Sequence, residues 1–330
     1  MAYTDIDDPS TVFQTTLYTG NGGTQTITNG GNSDLQADWL WIKGRSLGEG
    51  STHQTSTLGV TKHLHTNNND ALVTDTGIVT AFNSDGFALG NEGDVNGNSE
   101  TFVAWQWKKV AGFFDIVTYT GNGANRTIAH SLGVVPKTMI VKKLNAAADW
   151  SVGYSGLAAN QELELNNDGA VATDASYWNN TRPTSSVFSL GTDGDQNTDG
   201  HTYIAFLFAN KTGIVKHGKY TGNNSANGPM IYLGFKPAWV MVKKSSDTNH
   251  WIIWDNKRTA IAEAGRNPIN KKLYANLSHA ENGASDVDFK SNGFKLLTNT
   301  GDWNEVQTYQ YLAFAENPLV TSTGIPATAR

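Results

Sequence analysis

The densest run of chemistry-bearing side chains is Asp193-Gly194-Asp195-Gln196-Asn197-Thr198-Asp199-Gly200, where Asp193, Asp195, Asn197 and Asp199 place an oxygen on every second residue. Alternate oxygens in a turn are what a hard cation such as Ca²⁺ draws around itself. The acid that completes such a loop at its twelfth place is missing, because Ile204 or Phe206 stands there. A diluted version occurs upstream as Asp94-Val95-Asn96-Gly97-Asn98-Ser99-Glu100, and Gly301-Asp302-Trp303-Asn304-Glu305 stands downstream. A loop rich in turn formers accounts for all three without an ion. The sequence therefore predicts no cofactor, with Ca²⁺ at Asp193, Asp195, Asn197 and Asp199 the one candidate.

Other chemistry is sparser. The eight histidines fall mostly at unrelated positions and form no Ser-His-acid pattern. His63-Leu64-His65 puts two imidazoles on one strand face, yet no third metal ligand accompanies them. Gly-x-Ser-x-Gly, the phosphate loop and the dinucleotide fingerprint are absent. A glycosidase would need two carboxylates about 5–10 Å apart, and no acidic pair recurs along the chain. The expectation is a protein that is not an enzyme. Aromatic rings offer binding chemistry instead, because exposed Trp or Tyr beside amides and carboxylates stacks sugar rings. Trp41, Trp105, Trp150, Trp239 and Trp251 sit in strand-like segments and are expected in the core. Tyr177 and Trp178, with Asp302 and Trp303, lie in loops and are the candidates for a binding surface.

These residues are carried by a repeat. Tyr18-Thr19-Gly20-Asn21 returns as Tyr119-Thr120-Gly121-Asn122 and as Tyr220-Thr221-Gly222-Asn223, a period of roughly a hundred residues. Trp39-Leu40-Trp41-Ile42-Lys43 aligns with Thr138-Met139-Ile140-Val141-Lys142 and with Trp239-Val240-Met241-Val242-Lys243. Each copy closes on an aromatic segment, namely Phe102-Val103-Ala104-Trp105, Tyr203-Ile204-Ala205-Phe206 and Tyr311-Leu312-Ala313-Phe314.

Those segments are apolar on both alternating faces, which marks central strands, and the lysines are expected to emerge at strand ends where the ammonium meets water. Gly-Asn, Asn-Gly and Asp-Gly pairs between the runs supply the positive φ of hairpin turns. Helical periodicity is confined to short stretches at 156–164 and 258–265. The fold class that follows is all-β: three tandem β-sandwich, jelly-roll-like domains with short linkers. The boundaries are an N-terminal arm at 1–12, sandwiches at 13–110, 113–210 and 214–316, and a C-terminal tail at 317–330. A unit of this length can close its own core, so three beads are expected, pivoting at Gly112 and Gly213. The arm and tail are expected either to fray or to dock on a neighbouring subunit.

Composition bounds the partners. Only 16% of the 330 residues are charged, and the formal net charge is -6. That gives no field to gather a polyphosphate, so nucleic acid is not expected as a partner. No apolar stretch reaches the length of a bilayer span, and the acidic start carries no secretory pattern, so the expectation is a soluble protein without membrane insertion. The absence of Cys removes disulfides and thiolate chemistry.

Tyr-Thr-Gly-Asn-Gly, Trp41-Ile42-Lys43, Phe82-Asn83-Ser84-Asp85-Gly86-Phe87-x-Leu89-Gly90 and Phe102-Val103-Ala104-Trp105-x-Trp107-Lys108 together resemble a module of structural proteins from marine tailed bacteriophages. Asp8-Pro9-Ser10 and Ala313-Phe314-Ala315-Glu316-Asn317-Pro318 are similar to the same group, so the resemblance covers nearly the whole chain. It implies a virion protein assembled in the host cytoplasm and displayed as a tail fibre or appendage in host attachment. Its partners would be other virion proteins, including copies of itself; a host surface glycan is the partner that the loop aromatics would take. The alternatives are a capsid decoration protein that cements the head, and a carbohydrate-binding module or glycan-active enzyme.

Overall fold

A computed structural model describes residues 4, 6–258, 268–283 and 286–326. Strands dominate, all paired antiparallel, and the helical elements are single turns at Pro9–Thr11, Gly93–Asn96, Tyr177–Asn180 and Gly194–Asn197. The all-β class read from the sequence holds. The stretch at 156–164 is a turn leading into the strand Gln161–Glu164 rather than a helix. Of 258–265, only Arg258 is described.

Each repeat forms one large sheet. In the first, the order is Phe13–Thr19, Thr101–Trp107, Trp39–Gly44, Ser51–Thr55, Lys62–His65 and Val73–Thr74. The second repeats it with Phe114–Thr120, Thr202–Phe208, Thr138–Lys143, Ser151–Tyr154, Gln161–Glu164 and Ala172–Thr173. The third has five strands in that order: Val215–Thr221, Thr308–Pro318, Phe235–Lys244, Ile252–Asp255 and Leu273–Tyr274. A small sheet covers one face of each. It has three strands in the first repeat, two in the second and four in the third.

Register refines the repeat. Tyr18 pairs with Phe102, Tyr119 with Tyr203 and Tyr220 with Tyr309, and each pair stacks at ring separations of 5.3, 5.0 and 4.9 Å. The third-copy counterpart of Phe102 and Tyr203 is thus Tyr309, two residues before the Tyr311 that the sequence pattern aligns. A shift of two preserves the faces, so the pattern could not expose it.

The two faces of the central strands go to different cores. Leu40, Ile42, Phe102 and Ala104 point at the small sheet with Phe87 and Leu89, and the other repeats form equivalent clusters around Phe188 and Phe294. The opposite faces meet one another. Trp39, Trp41, Trp105 and Trp107 of the first repeat share one cluster with Phe114, Phe206 and Phe208 of the second and Trp239, Met241 and Phe314 of the third. Trp39 lies 4.5 Å from Phe206, Trp107 5.9 Å from Trp239 and 5.5 Å from Phe314, and Phe208 5.5 Å from Phe314. The expectation of beads that each close a separate core is corrected here. Every sandwich has a core of its own, and the large sheets then bury their second faces in a fourth, common one.

Gly112 and Gly213 do occupy the joints, with φ of 75° and 79°, inside tight turns closed by the Val110–Phe114 and Lys211–Val215 bridges. The described arm and tail dock on this chain itself. Ile6 packs on the common core, Thr4 donates to the Thr212 carbonyl at 3.2 Å, and the Ser322 amide donates to Asp7 at 2.6 Å.

Candidate functional site

The predicted cation loop is a mechanical clamp repeated three times. Asn197 is fully buried, and its Nδ2 donates to the carbonyls of Ala124 and Gly191 at 2.7 and 2.8 Å while its Oδ1 accepts from the Asn122 amide at 3.0 Å. Asn96 and Asn304 make the same bonds, to Gly23 and Gly90 and to Ser225 and Thr298, and accept from Asn21 and Asn223. The tyrosine of the Tyr-Thr-Gly-Asn motif locks the same turn, since Tyr18, Tyr119 and Tyr220 donate to the carbonyls of Val95, Gln196 and Trp303 at 2.7 to 2.8 Å. Glycine is required between them. A Cβ on Gly20, Gly121 or Gly222 would lie 2.2, 2.3 or 2.0 Å from a backbone oxygen of the turn. Asp193 caps the turn, accepting from the Asp195 amide at 2.9 Å, and Asp199 is exposed. Of the four Ca²⁺ candidates, Asp193 is a cap, Asn197 a clamp, Asp195 half-buried and Asp199 in solvent. Among the described residues no group of three or more His, Asp or Glu could hold a metal ion.

The candidate binding aromatics are not displayed. Trp303 is 1% exposed, with its Nε1 donating to Thr298 at 3.1 Å and the Lys272 ammonium 4.2 Å over its ring. Asp302 and Tyr177 are half-buried. Trp178 is 2% exposed, so the expectation of an open stacking surface is corrected at both tryptophans. Length and hydropathy of a loop cannot reveal that its ring folds inward.

Trp178 nevertheless borders a cavity of about 290 Å³ in the second repeat. It sits where the small sheet has only two strands, and its indole covers Gly153, whose absent side chain leaves the room. Trp178, Asn179 and Asn180 are consecutive non-glycine residues at φ of 52°, 51° and 47°. That conformation costs a residue such as Trp about 1–2 kcal/mol. The indole Nε1 is buried without a partner.

Acids gather in the same repeat on the strand Gln161–Glu164. Burial, reinforced by Asp193, pushes the Glu162 carboxyl up to about 9, and burial with Asp149 pushes Glu164 up to about 7. Glu162 is 1% exposed and accepts from Gln196 at 2.5 Å, so it does not present a general acid to solvent. His63 and His65 hold the matching places in the first repeat, where burial lowers His63 to about 4.

The residues that sequence reasoning misjudged are the repeat-matched lysines. Lys43, Lys142 and Lys243 are fully buried rather than at the water's edge. Lys142 donates to the Asn69 carbonyl of the first repeat at 2.9 Å, Lys243 to Asp168 of the second at 3.1 Å, and Lys43 to Leu277 of the third at 2.6 Å. Each repeat thus reaches the one before it, and the first reaches the third, closing a ring. The indoles beside them follow the same rule: Trp150 donates to His65 at 2.8 Å and Trp251 to Glu164 at 2.7 Å, while Ser51 at the matching place donates to Ala275 at 3.2 Å. Burial lowers Lys43 and Lys243 to about 7 and Lys142 to about 8. An invariant Lys at one register of three apolar strands was the available signal. The closing seam carries further ties, an ion pair of Arg45 with Glu281 at 2.9 Å and a hydrogen bond that Trp105 Nε1 donates to Asp255 at 3.0 Å.

Comparison with known proteins matches residues 8–318 to one family, the domain of unknown function DUF7483. No curated protein and no solved structure matches the chain. The chain belongs to the DUF7483 family, whose match runs unbroken through all three repeats.

Proposed function

We propose that this member of the DUF7483 family is a non-enzymatic structural protein of a tailed-bacteriophage virion, displayed on the particle as part of a fibre or appendage that meets the host surface. The observation that carries the reading is where the repeat-matched side chains go. The clamp asparagines and motif tyrosines lock a turn inside each sandwich, and the seam lysines and core tryptophans hold the three sandwiches in one ring. A unit built this way resists opening, as a part exposed on a particle must, and it reaches that rigidity without Cys. The sequence resemblance to marine phage structural modules supports the same placement.

The ring also favours a second reading. Three like units arranged cyclically in one chain suit a site where three capsomers meet, which is the position of a head decoration protein. Mass spectrometry of purified particles, followed by a density map, tests both. The proposal expects the chain in the particle, at the tail or appendage for the first reading and at head threefold positions for the second. Absence from purified particles of a phage that encodes it refutes both.

A further inference from the structure

The cavity bordered by Trp178 has a composition that selects its occupant. Lys137 and Arg182 line it, and no carboxylate does. Neither cation has an ion-pair partner among the described residues; the Arg182 guanidinium donates only to the carbonyls of Tyr154 and Leu157. The Trp178 indole also borders it, with its Nε1–H closed from solvent and without an acceptor. The lining is therefore rich in donors and positive charge in a chain whose net charge is -6. Val135 and Met139 add apolar surface, and Ser155 adds a hydroxyl. An occupant must bring an anion, further acceptor oxygens and a face of C–H groups, all within about 290 Å³.

We propose that this groove binds one acidic sugar residue, a hexuronic acid of a polysaccharide, with its carboxylate between Lys137 and Arg182 and its ring against the apolar wall. The left-handed turn at Trp178, Asn179 and Asn180 fixes the floor of the site, and the two-stranded small sheet of this repeat leaves it open. The small sheets of the first and third repeats carry additional strands. The inference deepens the host-contact part of the proposed function.

The test is saturation-transfer NMR of the full chain with galacturonic acid oligomers, neutral galactose oligomers and sodium acetate. The expected result is transfer to the uronate ring protons at an affinity of about 1 mM, a shifted indole signal that Trp178→Phe removes, and roughly tenfold weaker binding in Lys137→Gln and in Arg182→Gln. Both residues sit at the rim, and melting curves check that the variants fold; should one fail, the other variant and the indole signal decide. No transfer, equal binding of the neutral oligomer, acetate competing as well as the uronate, or unweakened variants would each overturn the proposal. Such a failure leaves particle membership untouched, and absence from particles leaves the sugar measurement untouched.

Discussion

Trp107 is the side chain that most directly joins the repeats, because its indole touches Phe13 of its own sheet, Phe208 of the second repeat and both Trp239 and Phe314 of the third. It is 1% exposed. Replacing it by Ala removes a fully buried indole and leaves a cavity that sheets from all three sides cannot collapse into. Such substitutions cost about 3–5 kcal/mol. With an unfolding entropy of roughly 2.1 cal/mol/K per residue spread over 330 residues, the melting temperature should fall by about 4–7 °C. The informative readout is where the loss appears. Hydrogen exchange in mild denaturant should show protection falling in parallel in peptides from 101–107, 202–208 and 308–315. Leu40→Ala, whose side chain belongs to the first repeat's own core, serves as the local control. Faster exchange confined to the first repeat in Trp107→Ala would refute the common core.

Further outcomes follow from the clamp and the buried charges. Asn197→Ala leaves two carbonyls and one amide of the turn without partners and should cost about 2–4 kcal/mol by denaturant titration, with Asn96→Ala and Asn304→Ala close to it. The folded state holds Lys43 near 7, below its unfolded value, so between pH 7 and about 10 the unfolded chain binds the extra proton and stability gains with rising pH. The difference between wild type and Lys43→Met should therefore move in favour of wild type by about 1.4 kcal/mol per pH unit across that window; a flat difference contradicts the lowered proton affinity of the buried Lys43. Glu162 works in the opposite sense. Its folded value near 9 means that its contribution is full below the unfolded carboxylate range and is lost as pH rises toward 9. Glu162→Gln should accordingly stabilise the protein at pH 7 by about 2–3 kcal/mol and leave it unchanged at pH 4.

Much of the fold was legible because strand alternation and turn residues are local signals. The paired faces of Phe102, Ala104 against Val103, Trp105, Trp107 were read correctly as apolar on both sides. Their meaning was harder to reach, since a lone sandwich leaves one face of each sheet in solvent, and a second apolar face demands a second partner. Here that partner is the neighbouring repeats, and the demand was visible in Trp39, Trp41, Trp105 and Trp107. Lysines at a strand end read as solvated for the ordinary reason that burying an ammonium is costly; the carbonyls that offset the cost belong to loops of another repeat. The same non-locality hid the groove. Trp178 was singled out as a loop ring, yet its inward turn depends on Gly153 and on a strand missing from the small sheet.

Differential scanning calorimetry of the intact chain addresses the shared interior without any substitution. A ring whose sandwiches depend on one common interior predicts a single endotherm in which the calorimetric and van't Hoff enthalpies agree. Three resolved transitions, or a van't Hoff enthalpy near one third of the calorimetric value, would show sandwiches melting independently and would contradict it.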